Sequence, residues 1–163
     1  MLYRNSPLDL EEFSDRVHFI DLPNSKESKE FKSTLNKGEA LETKKLVLSL
    51  KSSSTKPLSI GIITPYKAQV NLLKEILPEL KDHINTVDAF QGQERDIIIF
   101  NCVRNNHWGD IGFVRDQRRM NVAITRAKHY LFILGAAKTL YKDQVWSDMI
   151  NDIKVNGTYK RVQ

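Results

Sequence analysis

The chain has 163 residues, 40% of them hydrophobic and 28% charged. That balance fits one ordinary globular domain and excludes disorder as the main reading. One cysteine, Cys102, excludes an internal disulfide framework and a paired-cysteine metal site, and a net charge of +5 is compatible with a polyanionic partner.

No stretch reaches the roughly 18 apolar residues a membrane span needs, so no membrane partner is expected. Residues 1–9 lack the basic-then-apolar pattern of a secretion signal. With Cys102 inside an apolar run, as a small buried hydrophobe, the expected setting is reducing, nuclear or cytoplasmic.

Taken in chain order, residues 1–16 are mixed and polar. Val17-His18-Phe19-Ile20 is a candidate strand stopped by Asp21-Leu22-Pro23. Residues 24–34, rich in serine, lysine and glutamate, read as a flexible loop or insertion. Asn36 is placed to cap a helix over 37–51, with Glu39 at the capping-box position and Leu41 and Leu48 on an imperfect apolar face. A serine-rich loop over 52–57 leads to Ile60-Gly61-Ile62-Ile63, a continuous apolar run of the kind buried on both faces of a parallel sheet. Pro65 opens a helix through Val70, Leu73, Leu77 and Leu80, broken at Pro78.

Residues 84–87 form the next short strand, and 96–103 the strongest. Asp116 can cap a helix over 117–128, the strand 129–134 follows, and 139–154 reads as a last helix. Apolar strands alternating with helices predict an α/β fold with a mainly parallel sheet covered on both faces. The expected organisation is an N-terminal extension over 1–32, one domain over 33–155 and a tail over 156–163. Ligands of open α/β sheets bind at the carboxyl ends of the strands. Three polar segments are expected there: 64–69, 86–94 and the end of the helix at 121–128.

Within those segments the runs 86–96 and 118–128 resemble motifs V and VI of the superfamily 1 helicases, and 60–69 resembles their motif IV. Asn36-Lys37-Gly38-Glu39-Ala40 is similar to the segment that precedes it. The resemblance covers roughly 33–142 and is strongest to the helicases of nonsense-mediated decay and the senataxin-like group. It implies the second RecA-like domain, a three-layer fold of the P-loop NTPase type. The chain holds no Gly-x-x-x-x-Gly-Lys-Ser/Thr run and no apolar strand ending in Asp-Glu. Ile20-Asp21 and Val87-Asp88 lack the second acid.

The resemblance implies that Arg126 is an arginine finger, its planar guanidinium stabilising charge on a transferring phosphoryl group. It implies that Glu94 contacts a ribose hydroxyl beyond the Gly92 turn, with Gln91 and Arg119 near the nucleotide. It implies that Thr64, Pro65, Tyr66, Thr86 and Asn121 grip a nucleic-acid backbone. Read from the residues alone, Thr64, Thr86 and Asn121 serve turns and caps equally well, Tyr66 serves as a packing residue, and Arg118, Arg119, Arg126 and Lys128 form a solvated basic face. The loop from Arg104 to Gly109 looks exposed. Its Trp108 could stack on a base or pack locally, and His107 has no evident metal partner.

The expected function is that of the C-terminal motor domain of an ATP-dependent RNA or DNA helicase. The alternative is a non-catalytic nucleic-acid-binding or helicase-docking module on the same fold. The implied cofactor is ATP with Mg²⁺, held mainly by a first RecA-like domain in cis or trans. The implied substrate is single-stranded RNA or DNA, and no structural metal is expected. This chain alone is expected to hydrolyse no ATP.

Overall fold

A strand such as Ile97-Ile98-Ile99-Phe100 has no polar face to turn to water, so it gains by being covered on both sides. The computed structural model, which describes residue 10 and residues 12–163, shows that arrangement. The strands in chain order are β1 (Val17–Asp21), β2 (Glu27–Glu30), β3 (Ser33–Asn36), β4 (Ile60–Ile63), β5 (Ile84–Asn85), β6 (Arg95–Asn101), β7 (Ala127–Gly135) and β8 (Thr158–Arg161). Six of them form one sheet in the order β5-β4-β6-β7-β1-β8, every pair parallel. β2 and β3 form a separate antiparallel hairpin.

The helices are α1 (Lys37–Ser53), α2 (Lys67–Ile76), α3 (Gln117–Ile124), α4 (Ala137–Leu140) and α5 (Gln144–Asn156). Side chains alternate across each strand, so β6 feeds two cores. Ile97 and Ile99 pack with Leu46, Val47 and Leu50 of α1 and Val70 and Leu73 of α2. Ile98 and Phe100 pack with Met120 and Ala123 of α3 and Trp146, Ile150 and Ile153 of α5. Each fully buried aliphatic side chain contributes roughly 1.5–3 kcal/mol. The result is the three-layer α/β fold the sequence implies.

Several boundaries differ from the sequence expectation. The segment read as a flexible loop over 24–34 holds β2 and the start of β3, because alternate residues can pair across two strands even when most are polar. The expected division at 33 and 155 does not separate the structure. β1 lies inside the sheet between β7 and β8, and residues of the expected tail supply β8. Residues 1–9 and 11, expected to be mixed and polar with no secretion signal, lie outside the described residues.

α1 buries Ala40, Thr43, Leu46, Val47 and Leu50, while Leu41 and Leu48 are exposed; burial against the sheet, not the leucine count, selects the face. Residues 87–90 form a 3-10 turn instead of extending β5. The expected helix over 139–154 is two helices, because Asp143 accepts from Trp146 N and starts α5 afresh. Asp116 caps α3 as expected, but the helix stops at Ile124. There Thr125 Oγ1 donates to the Asn121 and Val122 carbonyls, and Arg126 O accepts from Arg95 N, which draws the chain into β7.

A buried polar knot fixes the hairpin and both helices of one layer. Gln69 Oε1 accepts from Asn36 N at 2.8 Å, and Gln69 Nε2 donates to Asn36 O and to Asn101 Oδ1. Asn101 Nδ2 donates to Thr43 Oγ1. Asn36 Oδ1 accepts from Glu39 N and so caps α1. The capping box is not completed, because Asn36 N belongs to Gln69. The Glu39 carboxylate instead accepts from Val103 N at 2.9 and 3.1 Å. Val103 has φ +71°, a left-handed conformation that a β-branched residue resists. Asn36 Nδ2 donates to its carbonyl, so both polar groups of that peptide position are held.

Replacing Gln69 by leucine would leave Asn36 N and O and Asn101 Oδ1 buried with fewer partners. At about 1–3 kcal/mol per orphaned group, Gln69→Leu is expected to lower unfolding free energy by about 2–4 kcal/mol in urea titrations. An unchanged midpoint would show that the knot contributes no net stability.

Glu39 is fully buried, and loss of hydration pushes its carboxyl group up to about 8, against partial opposition from the Val103 and Cys102 backbone N–H groups. A carboxyl group raised in the folded state favours folding while it is protonated. Its contribution is therefore complete below its ordinary value of 4.5 and is lost as pH rises towards about 8. Between those limits the parent chain is expected to lose stability that Glu39→Gln does not lose, on the order of a few kcal/mol. Parallel stability-versus-pH curves for the two proteins would refute this assignment.

Candidate nucleotide and nucleic-acid site

Parallel strands force every connection to return from one edge of the sheet to the other, and this divides the predicted site. Thr64, Pro65 and Thr86 follow the carboxyl ends of β4 and β5. The segment beyond Thr86 makes its 3-10 turn at Val87–Phe90 and enters the amino end of β6 at Arg95. On the way Phe90 packs on Gly61, where an added Cβ would stand 2.8 Å from its Cε1 atom. Gln91 to Glu94 and Arg126 therefore lie at the amino ends of β6 and β7. The expectation that all three polar segments meet at the carboxyl edge is corrected in this respect.

At the amino edge, Gly92 turns the chain with φ +78°, and a Cβ added there would meet nothing within 4 Å. The turn is open and left-handed, so glycine is needed for its conformation and leaves the backbone approachable. Gln91, Gly92, Gln93 and Glu94 are exposed. Gln93 organises the turn: its Nε2 donates to Ala89 O, and its Oε1 accepts from Arg95 Nη2. Glu94 makes no ion pair among the described residues; only its backbone carbonyl is engaged, by Arg95 Nη1.

Arg126 is half-buried and stands one residue beyond the helix cap, not on α3 as the helix expected over 117–128 implied. Its Nε donates to Val122 O at 3.1 Å, its Nη2 to Thr125 Oγ1 at 3.2 Å, and its Nη1 to Gln93 O at 3.4 Å. The guanidinium thus spans from the carboxyl end of α3, where the helix dipole favours a cation, to the glycine turn. All three acceptors are uncharged, and no carboxylate pairs with it among the described residues. Its full charge remains available to an anion.

Arg119 differs. It lies between Asp88 at 3.4 Å and Asp116 at 3.8 Å and ties α3 to the 3-10 turn. These are exposed pairs, each worth about 0–1 kcal/mol. Asp88, which ends one of the two apolar runs that lack a second acid, is engaged there. Asp21, the other such position, accepts from Ala137 N and from the Tyr159 hydroxyl and so pins α4 and β8 to the end of β1.

At the carboxyl edge, Thr64 is fully buried, and its Oγ1 has no hydrogen-bond partner. Tyr66 is buried too. Its hydroxyl accepts from Phe113 N at 3.1 Å and from Arg104 Nη1 at 3.5 Å and faces Ile111 O at 3.4 Å, the packing reading of that residue. Burial pushes its hydroxyl pKa up, and Arg104 opposes the rise. Gly112 has φ +56°, and a Cβ there would stand 2.2 Å from Tyr66 Oη. Pro65 and Thr86 are half-buried and line an open groove. Asn121 lies apart from them, in a cleft between α3 and α5 with Met120 and Trp146.

The loop that begins at Arg104 is less exposed than its sequence suggests. Arg104 is buried between Glu27 at 3.3 Å and Asp110 at 3.2 Å, whereas Trp108 remains exposed. The groove beside Thr86 also contains Phe31, Lys32, Lys67 and Phe113. Sequence reasoning assigned no role to Phe31 and Lys32; a single phenylalanine in an otherwise polar run was the available signal.

Comparison with known proteins identifies the family. A family model described as an AAA domain matches residues 3–138. A "Regulator of nonsense transcripts 1 homolog" of Drosophila melanogaster is 42% identical over 133 residues, 75% of this chain and 11% of the relative. The "ATP-dependent helicase NAM7" of Saccharomyces cerevisiae is 37% identical over 134 residues, and the "ATP-dependent helicase upf1" of Schizosaccharomyces pombe is 40% identical over 134; each alignment covers 77% of this chain and 14% of the relative. The chain therefore spans a small part of the length of these relatives. It belongs to the AAA domain family, as a second RecA-like helicase domain of the superfamily 1 nonsense-mediated-decay group.

Proposed function

We propose that this chain is the half of an ATP-driven helicase motor that senses the γ-phosphate and grips the strand being moved. ATP lies between this domain and a first RecA-like domain, joined in cis or recruited in trans. The observation that carries the reading is the state of Arg126: a guanidinium with uncharged partners only, beside an open glycine turn. Such contacts are weak enough to exchange for a triphosphate, and the planar cation then offsets charge that develops on the transferring phosphoryl group.

Glu94, exposed and without an ion pair among the described residues, is free to accept from a ribose hydroxyl, and the open Gly92 backbone gives the nucleotide room. Gln91 is within the same turn. Arg119 serves chiefly to hold α3 against the turn, because two carboxylates already engage it. Mg²⁺ would neutralise triphosphate charge when bound. In this reading its protein ligands come from the first RecA-like domain.

The nucleic-acid grip belongs to the opposite edge, at Pro65 and Thr86. The segment from Thr86 to Glu94 reaches from that edge to the nucleotide turn, so movement of the turn on ATP closure pulls on the grip. A hinge-type closure of two domains can then advance single-stranded RNA or DNA. Thr64 takes part through its buried position under Pro65, not by direct contact, and Tyr66 supports the neighbouring Phe113. Asn121 stands apart from this grip.

The test adds a first RecA-like domain carrying a P-loop and measures phosphate release. Turnover is expected to appear with the pair and to fall about 10³-fold or more in Arg126→Ala. Arg126→Lys should not restore it, since lysine lacks the fork, and the unfolding midpoint should change little. Equal turnover by Arg126→Ala would end the finger assignment.

A further inference from the structure

The carboxyl edge carries a feature that the proposed phosphate contacts leave unused. β2 and β3 are joined by two residues, Phe31 and Lys32, with Glu30 paired to Ser33. Phe31 has φ +55°, a conformation that a two-residue hairpin loop ordinarily gives to glycine or asparagine. The residue is 97% exposed. It adds nothing to either core, and the backbone there works against a bulky side chain. A strained, exposed aromatic at a loop tip invites a role outside folding.

The hairpin beneath it is firmly seated. Ser33 Oγ accepts from Ala68 N at 3.1 Å, and Asn36 sits in the buried knot. Glu27 accepts from Arg104 Nε and from Asn105 N at 2.7 Å. The tip is therefore held at a defined place beside the groove.

Phe113 lines the same groove. It is 55% exposed and rests on Tyr66, their ring centroids 5.5 Å apart. Lys32, Lys67 and Thr86 also line it, with Glu30 as the opposing charge. Among the described residues, the exposed large aromatics are Phe31, Trp108 and Phe113, and each lies on the hairpin or on the connection after β6. Aromatic faces interleaved with lysines suit single-stranded nucleic acid, whose bases stack while its phosphates meet cations. An apolar peptide would leave Lys32 and Lys67 without purpose.

We propose that the hairpin tip is a base-stacking post: Phe31 stacks on a base of a single strand whose phosphates pass Lys32, Lys67 and Thr86. This rests on the nucleic-acid grip proposed above and extends it to a hairpin outside the three helicase motifs. The post would hold the strand between strokes, because stacking does not depend on base identity.

The experiment measures binding of the 163-residue chain to a fluorescent oligouridylate, an oligothymidylate and an abasic strand of equal length, by anisotropy over a range of salt. Phe31→Ala is expected to weaken binding to the base-containing strands on the order of tenfold, with no effect on the abasic strand and an unchanged salt slope. Phe31→Trp should retain binding. Lys67→Gln should lower the salt slope by about 0.7. The exposed ring makes a folding artefact separable, since the unfolding midpoint of Phe31→Ala should equal that of the parent.

If the parent binds and Phe31→Ala binds as tightly, the post is refuted and the grip stands. Failure of the parent to bind any strand overturns both. Equal loss on abasic and base-containing strands removes stacking as the mechanism. Phe31-dependent self-association in sedimentation, with oligonucleotide binding unchanged, assigns the ring to a second copy of the chain and overturns the proposal.

Discussion

The hydrogen bond from Asn36 N to Gln69 Oε1 is the constraint on which the working edge depends. Burying an amide side chain is costly unless every polar atom is matched. Gln69 meets this condition by taking both the N–H and the carbonyl of Asn36 and reaching Asn101 as well. In one step it sets the hairpin against α2, leaves the Asn36 side chain free to cap α1, and releases Glu39 for Val103. Apolar residues of similar size could fill that space, but they would not choose one register for the hairpin. A satisfied buried network supplies specificity of position here in addition to stability.

That choice propagates outward. Val103, held left-handed by Glu39 and Asn36, turns the chain so that Arg104 reaches back to Glu27 of β2 and forward to Asp110. The Tyr66 hydroxyl meets Arg104 and the backbone of Phe113. Hairpin, loop and groove wall are thus a single cross-linked unit at the carboxyl edge. The amino edge is built differently. Arg126 and Glu94 lie on open turns and make only uncharged contacts, as the proposed exchange for a nucleotide requires.

Much of the sheet was legible because unbroken apolar runs such as Ile97 to Phe100 admit few other fates. The caps Asn36, Asp116 and the break at Pro78 were legible from residue type alone. The hairpin was not: its strands are mostly polar, and their pairing depends on a buried partner, Gln69, distant in sequence. The face of α1 was misjudged because Leu41 and Leu48 look like core residues until the sheet selects Ala40 and Thr43. At the site, the resembling motifs drew attention to the glycine turn at 92, but not to the edge on which each residue falls. Arg126 was placed on the helix expected over 117–128, whereas strand pairing through its own carbonyl ends α3 before it. The burial of Thr64 was not legible, because a polar side chain at a strand end gives no sign of what will cover it, whereas packing was already one of the two readings of Tyr66.

The two left-handed residues that are not glycine make an instructive pair. Val103 is buried, and the fold compensates its strain through bonds to both its N–H and its carbonyl. Phe31 is at the surface, and its ring meets no compensating core. A residue that costs the folded state something, adds nothing to the core and stands beside a cationic groove has to be explained by what it touches outside the chain. The strain at Val103 is a feature of construction; the strain at Phe31 is directed at a ligand.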